Sequence, residues 1–154
     1  MDRAVSGRVR VLAVIGAAVV ASGLNFVVAK TAIAAGASAE FGPLMLPTFA
    51  VLTVVGVAAG FAGWVVVARR AKRPAAALRV IVPGVLLLSM TPDVVLLATG
   101  FIPHSSGIGV AALALMHLVV AAVTVPVCAR VLPVGVDRQA AERSRATLLT
   151  RPIA

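Results

Sequence analysis

Long uncharged apolar runs separated by short polar breaks set the pattern of this chain. Val11–Ala29 is a run of 19 residues without a charge, and about 20 such residues cross the ~30 Å hydrocarbon core of a bilayer. The small-residue stretch Thr31–Pro43, which contains Glu40, reads as a loop. A second uncharged run, Phe41–Ala68, predicts a helix over 44–68. Arg69–Arg79 is a basic connection interrupted by Pro74. Val80–Thr99 is apolar except for Asp93, Gly100–Gly107 collects the Gly, Pro and Ser of a turn, and Ile108–Cys128 is uncharged with His117 inside it. The pattern predicts an all-α, four-helix transmembrane bundle with spans at 11–29, 44–68, 80–99 and 108–128, a short segment at 1–10 and a basic tail at 129–154.

Composition agrees. Hydrophobic residues are 61% and charged residues 12% of the chain, against about 45–50% and about 25% in soluble domains; mean hydropathy is +1.10. Ala supplies 31 residues and Val 29, so the apolar mass consists of small and β-branched side chains. A multidomain enzyme does not fit, and Cys128 alone makes neither a disulfide scaffold nor a cysteine-pair oxidoreductase. The net charge of +9 would suit a nucleic-acid binder, but the cations punctuate apolar blocks instead of interleaving with aromatic stacking platforms. The lipid bilayer is therefore the expected partner, and nucleic acid is not.

Lys and Arg are held back on the cytoplasmic face of membrane proteins. Arg3, Arg8 and Arg10 precede the first span, Arg69, Arg70, Lys72, Arg73 and Arg79 follow the second, and Arg130, Arg138, Arg143, Arg145 and Arg151 follow the last; only Lys30 lies elsewhere. Both termini are thus expected to be cytoplasmic, in a multi-pass protein of the inner (plasma) membrane. Trp64 near the inner boundary, with Phe41 and Phe101 at the outer one, would form a sparse interfacial belt. Ala37-Ser38-Ala39 imitates a signal cleavage site, but the apolar run before it exceeds the ~7–15 residues of a signal's apolar core, so the first helix is expected to be retained. The stretch 137–149 reads either as a short basic helix on the inner leaflet or as a solvated tail.

Gly56 and Gly60 form a GxxxG spacing in the second span, which lets another backbone approach closely. Ala13, Ala17 and Ala21 repeat at the same interval in the first span, so the simplest pairing sets these two stripes together inside one subunit; a homodimer through Gly56 and Gly60 is the rival use. Pro92 and Pro126 are expected to kink the third and fourth helices. No internal repeat supports an inverted-repeat transporter.

Asn25, Asp93 and His117 are the strongly polar residues inside the spans. An ionisable group at membrane depth costs at least ~2.5–3.5 kcal/mol on insertion scales, so each needs a partner. Counted from the span ends, all three fall near the midplane or in the outer half, and a hydrogen-bonded Asn–Asp–His cluster would be chemically self-sufficient. No metal, haem or other cofactor is expected, because His104, His117, Asp93 and Glu40 lack paired ligand spacing. No phosphate loop or nucleophile–base motif occurs either, so the chain is not expected to be an enzyme. Two function classes remain: a non-enzymatic structural or accessory membrane protein, favoured here, and a small proton-coupled carrier or ligand sensor that uses the cluster.

Gly23-Leu24-Asn25, Leu46-Pro47-Thr48, Ser89-Met90-Thr91-Pro92-Asp93 and Met116-His117-Leu118-Val119-Val120 occur in order along the four spans. In these motifs the chain, over roughly 8–130, resembles a family of small four-helix membrane proteins of high-GC Gram-positive bacteria, filed as a domain of unknown function. The resemblance implies four transmembrane helices, with the Asn, the Asp and the Met-His pair as recurring positions and no established activity.

Overall fold

Ser6 opens the first helix as its N-cap, its hydroxyl accepting from the Val9 amide. From there the computed structural model, which describes residues 6–134, is helical throughout, with no strand among the described residues. In chain order the helices are α1 (Gly7–Ala34), α2 (Leu46–Arg70), α3 (Pro74–Ser89), α4 (Thr91–Thr99) and α5 (Gly107–Val131), with a 3-10 turn at Gly42–Leu44 before α2. α3 and α4 together form one span, Pro74–Thr99, so there are four spans long and apolar enough to cross a membrane. The region 137–149 lies outside the described residues.

The helices outrun their uncharged cores. α1 continues through Lys30 and stops where Gly36, at φ +107, takes a conformation that other residues rarely adopt. The Gly36 and Ala37 amides return to the Ile33 and Ala32 carbonyls, which caps the helix end. Ser106 starts α5 by accepting from the Gly109 amide.

Side chains such as Leu12, Val19, Val80, Leu87 and Leu88 face outward; lipid tails accept such a surface without penalty. The interior is built from stripes at three- and four-residue spacing: Ala17, Ala21, Asn25, Ala29 and Ala32 on α1, and Phe49, Thr53, Val57, Phe61 and Trp64 on α2. α1 packs most extensively against α5, and next against α2. Two apolar clusters result. One, at the basic end, joins Ala17, Ala21, Val57, Phe61, Trp64, Leu78 and Cys128. The other, at the loop end, joins Ala29, Phe41, Leu44, Phe49, Leu96, Val110 and Met116. Asn25, Thr53 and Asp93 fall between them along their own helices.

Three packing expectations change. The Gly56–Gly60 face is used within the subunit, but it meets α5 and not the alanine stripe of α1. A Cβ added at Gly60 would lie 3.0 Å from Thr124 Cγ2, and one at Gly56 would lie 3.4 Å from Val120 Cγ1. The α1 stripe is instead covered where α1 packs on α5 and α2. Second, the interruption expected at Pro92 falls at Met90. The span breaks at Met90, and Pro92 stands in the first turn of α4, where its missing N–H leaves no helical bond unmade. Pro83 and Pro126 are the prolines inside described helices. Third, two of the three aromatics expected at the interfaces are interior. Phe41 is fully buried against Gly109, and Trp64 donates its indole N–H to the Leu132 carbonyl at 3.0 Å, tying the end of α5 to α2. Only Phe101 of the three is exposed.

Candidate functional site

The site begins with single polar residues set into otherwise apolar stripes. Asn25 occupies the α1 stripe between Ala21 and Ala29 and is 1% exposed. Its Nδ2 donates to Thr53 Oγ1 at 2.8 Å, across to the matching position on the α2 stripe. Thr53 is the partner that the sequence did not reveal, because a helical threonine can satisfy its hydroxyl on its own backbone and draws no notice. Its place in the buried Phe49–Thr53–Val57 series was the available signal.

Asp93 is placed by the break at Met90. Restarting the helix puts it in the first turn of α4, where its amide donates to the Met90 carbonyl and the unpaired N–H groups of a helix start favour an acidic side chain. α5 brings His117 to the same level, about 15 Å below its own start at 1.5 Å per residue. His117 Nε2 lies 3.3 Å from Asp93 Oδ2. The contact is long, and no aligned N–H reaches that oxygen. The histidine side chain is 37% exposed and the aspartate side chain 10%. The structure thus joins Asp93 to His117 and Asn25 to Thr53, with no hydrogen bond joining the two pairs. The single three-residue network expected from the sequence is replaced by two separate contacts.

Both contacts border one cavity of about 780 Å³ between α2, the α3–α4 span and α5, with Asn25 contributed by α1. Its walls are mainly apolar. Leu52 and Val55 on α2, and Ile81 and Val85 on α3, line it and are exposed, so its mouth opens sideways between these helices. Gly63 lines it too, where an added Cβ would meet nothing within 4 Å, so the missing side chain keeps that part of the wall low. Among the described residues, three buried polar atoms have no hydrogen-bond partner: Asn25 Oδ1, Asp93 Oδ2 and Thr124 Oγ1. All three residues line this cavity. The atoms themselves are buried, and Asp93 Oδ2 has His117 Nε2 as its neighbour, so the cavity is an apolar space with a few polar residues in its wall. Ser89, also in the lining, is satisfied by donating to the Leu86 carbonyl.

A second histidine–carboxylate contact, His104 Nε2 to Glu40 Oε2 at 3.3 Å, lies at the loop end with both side chains well exposed. It is a surface pair of the kind that contributes little to stability. Among the described residues no three His, Cys, Asp or Glu side chains converge as metal ligands would.

No curated protein and no solved structure shows significant similarity to the chain. One family does match, described as "Family of unknown function (DUF6069)", over residues 2–134. That match takes in all four spans and every residue of the cavity, and the chain accordingly belongs to this family of unknown function.

Proposed function

We propose that the protein is a non-enzymatic, multi-pass protein of the plasma membrane that binds a bilayer-dissolved small molecule in its lateral groove, as a sensor or carrier. One observation carries this reading: a mainly apolar cavity, lined by the polar residues Asn25, Asp93, His117 and Thr124, has a mouth that opens sideways between apolar helices. Ligand cavities characteristically combine apolar walls with a few convergent polar groups. A molecule dissolved in the membrane could reach these groups without passing through water. The Asp93–His117 contact adds a pair of groups able to exchange a proton with one another or with a guest. The alternative, a purely structural or accessory protein, draws on the Asn25–Thr53 bond, which fastens α1 to α2. The bias of Lys and Arg supports an orientation with both ends in the cytoplasm.

The test is labelling of the full-length protein, in phospholipid nanodiscs, by a photoreactive hydrocarbon. Groove binding concentrates the label on residues of α2, α3 and α5 that face the cavity. Gly63→Leu should weaken that signal, since a side chain starting from a Cβ with nothing within 4 Å extends into the cavity, and Gly63→Ala serves as the folded control. Uniform labelling of all lipid-facing residues, unaffected by Gly63→Leu, refutes the binding reading and leaves the structural one.

A further inference from the structure

At the basic end of the bundle a second cavity, of about 460 Å³, lies between α3 and the end of α5, with Trp64 of α2 in its wall. It adjoins the lateral groove, since Trp64, Leu78, Val82 and Val125 line both. Arg79 is the one charged residue in its lining, and it is exposed. The Trp64 indole already donates to the Leu132 carbonyl, so the guanidinium is the polar side chain left to receive a guest. Among the described residues the acids are Glu40, at the loop end, and Asp93, about 21 Å further along the span at 1.5 Å per residue. The α2–α3 connection adds Arg69, Arg70, Lys72 and Arg73 to the same end. Basic pockets between spanning helices receive anionic lipid heads. An arginine this near a helix start extends its guanidinium toward the head-group level while its stem stays on apolar surface. One leaflet supplies about 15 Å of hydrocarbon, half of the ~30 Å core. From Arg79 that length reaches the level of Ser89, along the wall formed by Val82, Val85 and Leu86.

We infer, resting on the lateral-binding reading above, that the guest is an anionic phospholipid of the leaflet at the basic end, its phosphate on Arg79 between α3 and α5 and one acyl chain in the groove, stopping short of Asp93. A zwitterionic phospholipid has the same chain and the same phosphate but no net charge. It gains less from this end, whose charges among the described residues are all positive.

The experiment uses the full chain in phosphatidylcholine nanodiscs holding a trace of phosphatidylglycerol with a diazirine at the end of one acyl chain; phosphatidylcholine with the same photoreactive chain is the reference. Label in the groove is read peptide by peptide, as a share of all label on the protein. That share should be about fivefold larger for phosphatidylglycerol, the factor that one cation beside an anionic head supplies. Arg79→Gln should bring it down to the phosphatidylcholine level, and Arg79→Lys, which keeps the charge, should retain most of it. Arg10→Gln removes an equal charge from the same end, on α1, which contributes nothing to the lining between α3 and α5, and should leave the share unchanged. The comparison of the two lipids in the unaltered protein stands whether or not a variant folds. Equal shares for the two lipids, or equal effects of Arg79→Gln and Arg10→Gln, overturn the assignment of the head group and leave lateral binding standing. A groove that takes label from the photoreactive hydrocarbon but from neither phospholipid overturns it as well. A groove labelled by none of the three probes removes both readings.

Discussion

Gly60→Ala is the smallest change that tests how α2 and α5 meet. The added carbon would sit 3.0 Å from Thr124 Cγ2, whereas apolar carbons are comfortable at about 3.5–4.0 Å. Overpacking of this kind costs about 1–3 kcal/mol. Threonine has two accessible χ1 rotamers in a helix, so it can turn part of the way aside, which places the cost near the lower end. Against it stands the gain of replacing a helical glycine by alanine, about 0.5–1 kcal/mol. Gly60→Ala should therefore come out between neutral and about 0.5 kcal/mol destabilising, and about 1 kcal/mol less stable than Gly63→Ala. Gly56→Ala meets Val120 Cγ1 at 3.4 Å and should be close to neutral, and Gly63→Ala, with nothing within 4 Å, should stabilise. Thr124→Ser removes the obstructing methyl, so combining it with Gly60→Ala should recover at least about 0.5 kcal/mol beyond additivity. Denaturant titration of the purified protein in mild detergent reads all six proteins, the unaltered chain and Thr124→Ser alone included. If Gly60→Ala is as stable as Gly63→Ala, or if Thr124→Ser gives no recovery, the Gly60 face does not pack on α5 and the reasoning fails.

Two further predictions use the same unfolding assay. Thr53→Val should cost about 1–3 kcal/mol by leaving the buried Asn25 amide without its acceptor, while Asn25→Leu combined with Thr53→Val should cost less than Thr53→Val alone, since removing both partners leaves nothing unpaired; an additive double variant would deny that the pair interacts. Asp93→Asn should change stability by less than about 1 kcal/mol, whereas His117→Leu, which strips the carboxylate of its neighbour, should cost about 1–3 kcal/mol, and equal losses would mean that the 3.3 Å contact carries no energy.

The spans were legible because a bilayer makes length and lack of charge decisive, and those two properties are visible residue by residue. The nearness of Asp93 to His117 was legible for a related reason: two ionisable groups at similar depth each need relief, and a shared interior location supplies it. Helix adjacency was not. Small-residue stripes on α1 and α2 are equally good matches for one another and for α5, and choosing among them depends on crossing geometry that spacing does not encode. The break at Met90 was hidden because Pro92 has the same local signature whether it bends a helix or begins one. Phe41 and Trp64 lie near span ends, where aromatics often anchor to the interface, yet Gly109 provides a surface flat enough for the Phe41 ring and the Leu132 carbonyl provides an acceptor for the indole. Those partners are distant in the chain, and nothing local announces them.

The largest interface joins the first helix to the last. During synthesis α1 leaves the ribosome long before α5, and until α5 is inserted the alanine-and-asparagine stripe of α1 has only α2 to cover it. At that stage Gly56 and Gly60 lack the Val120 and Thr124 side chains that will close over them, and Asp93 stands in the membrane without His117. The contacts that complete the interior therefore join residues far apart in sequence. A chain that ended before Gly107 would lack the helix that covers the α1 stripe, the Gly56–Gly60 face and Asp93 together.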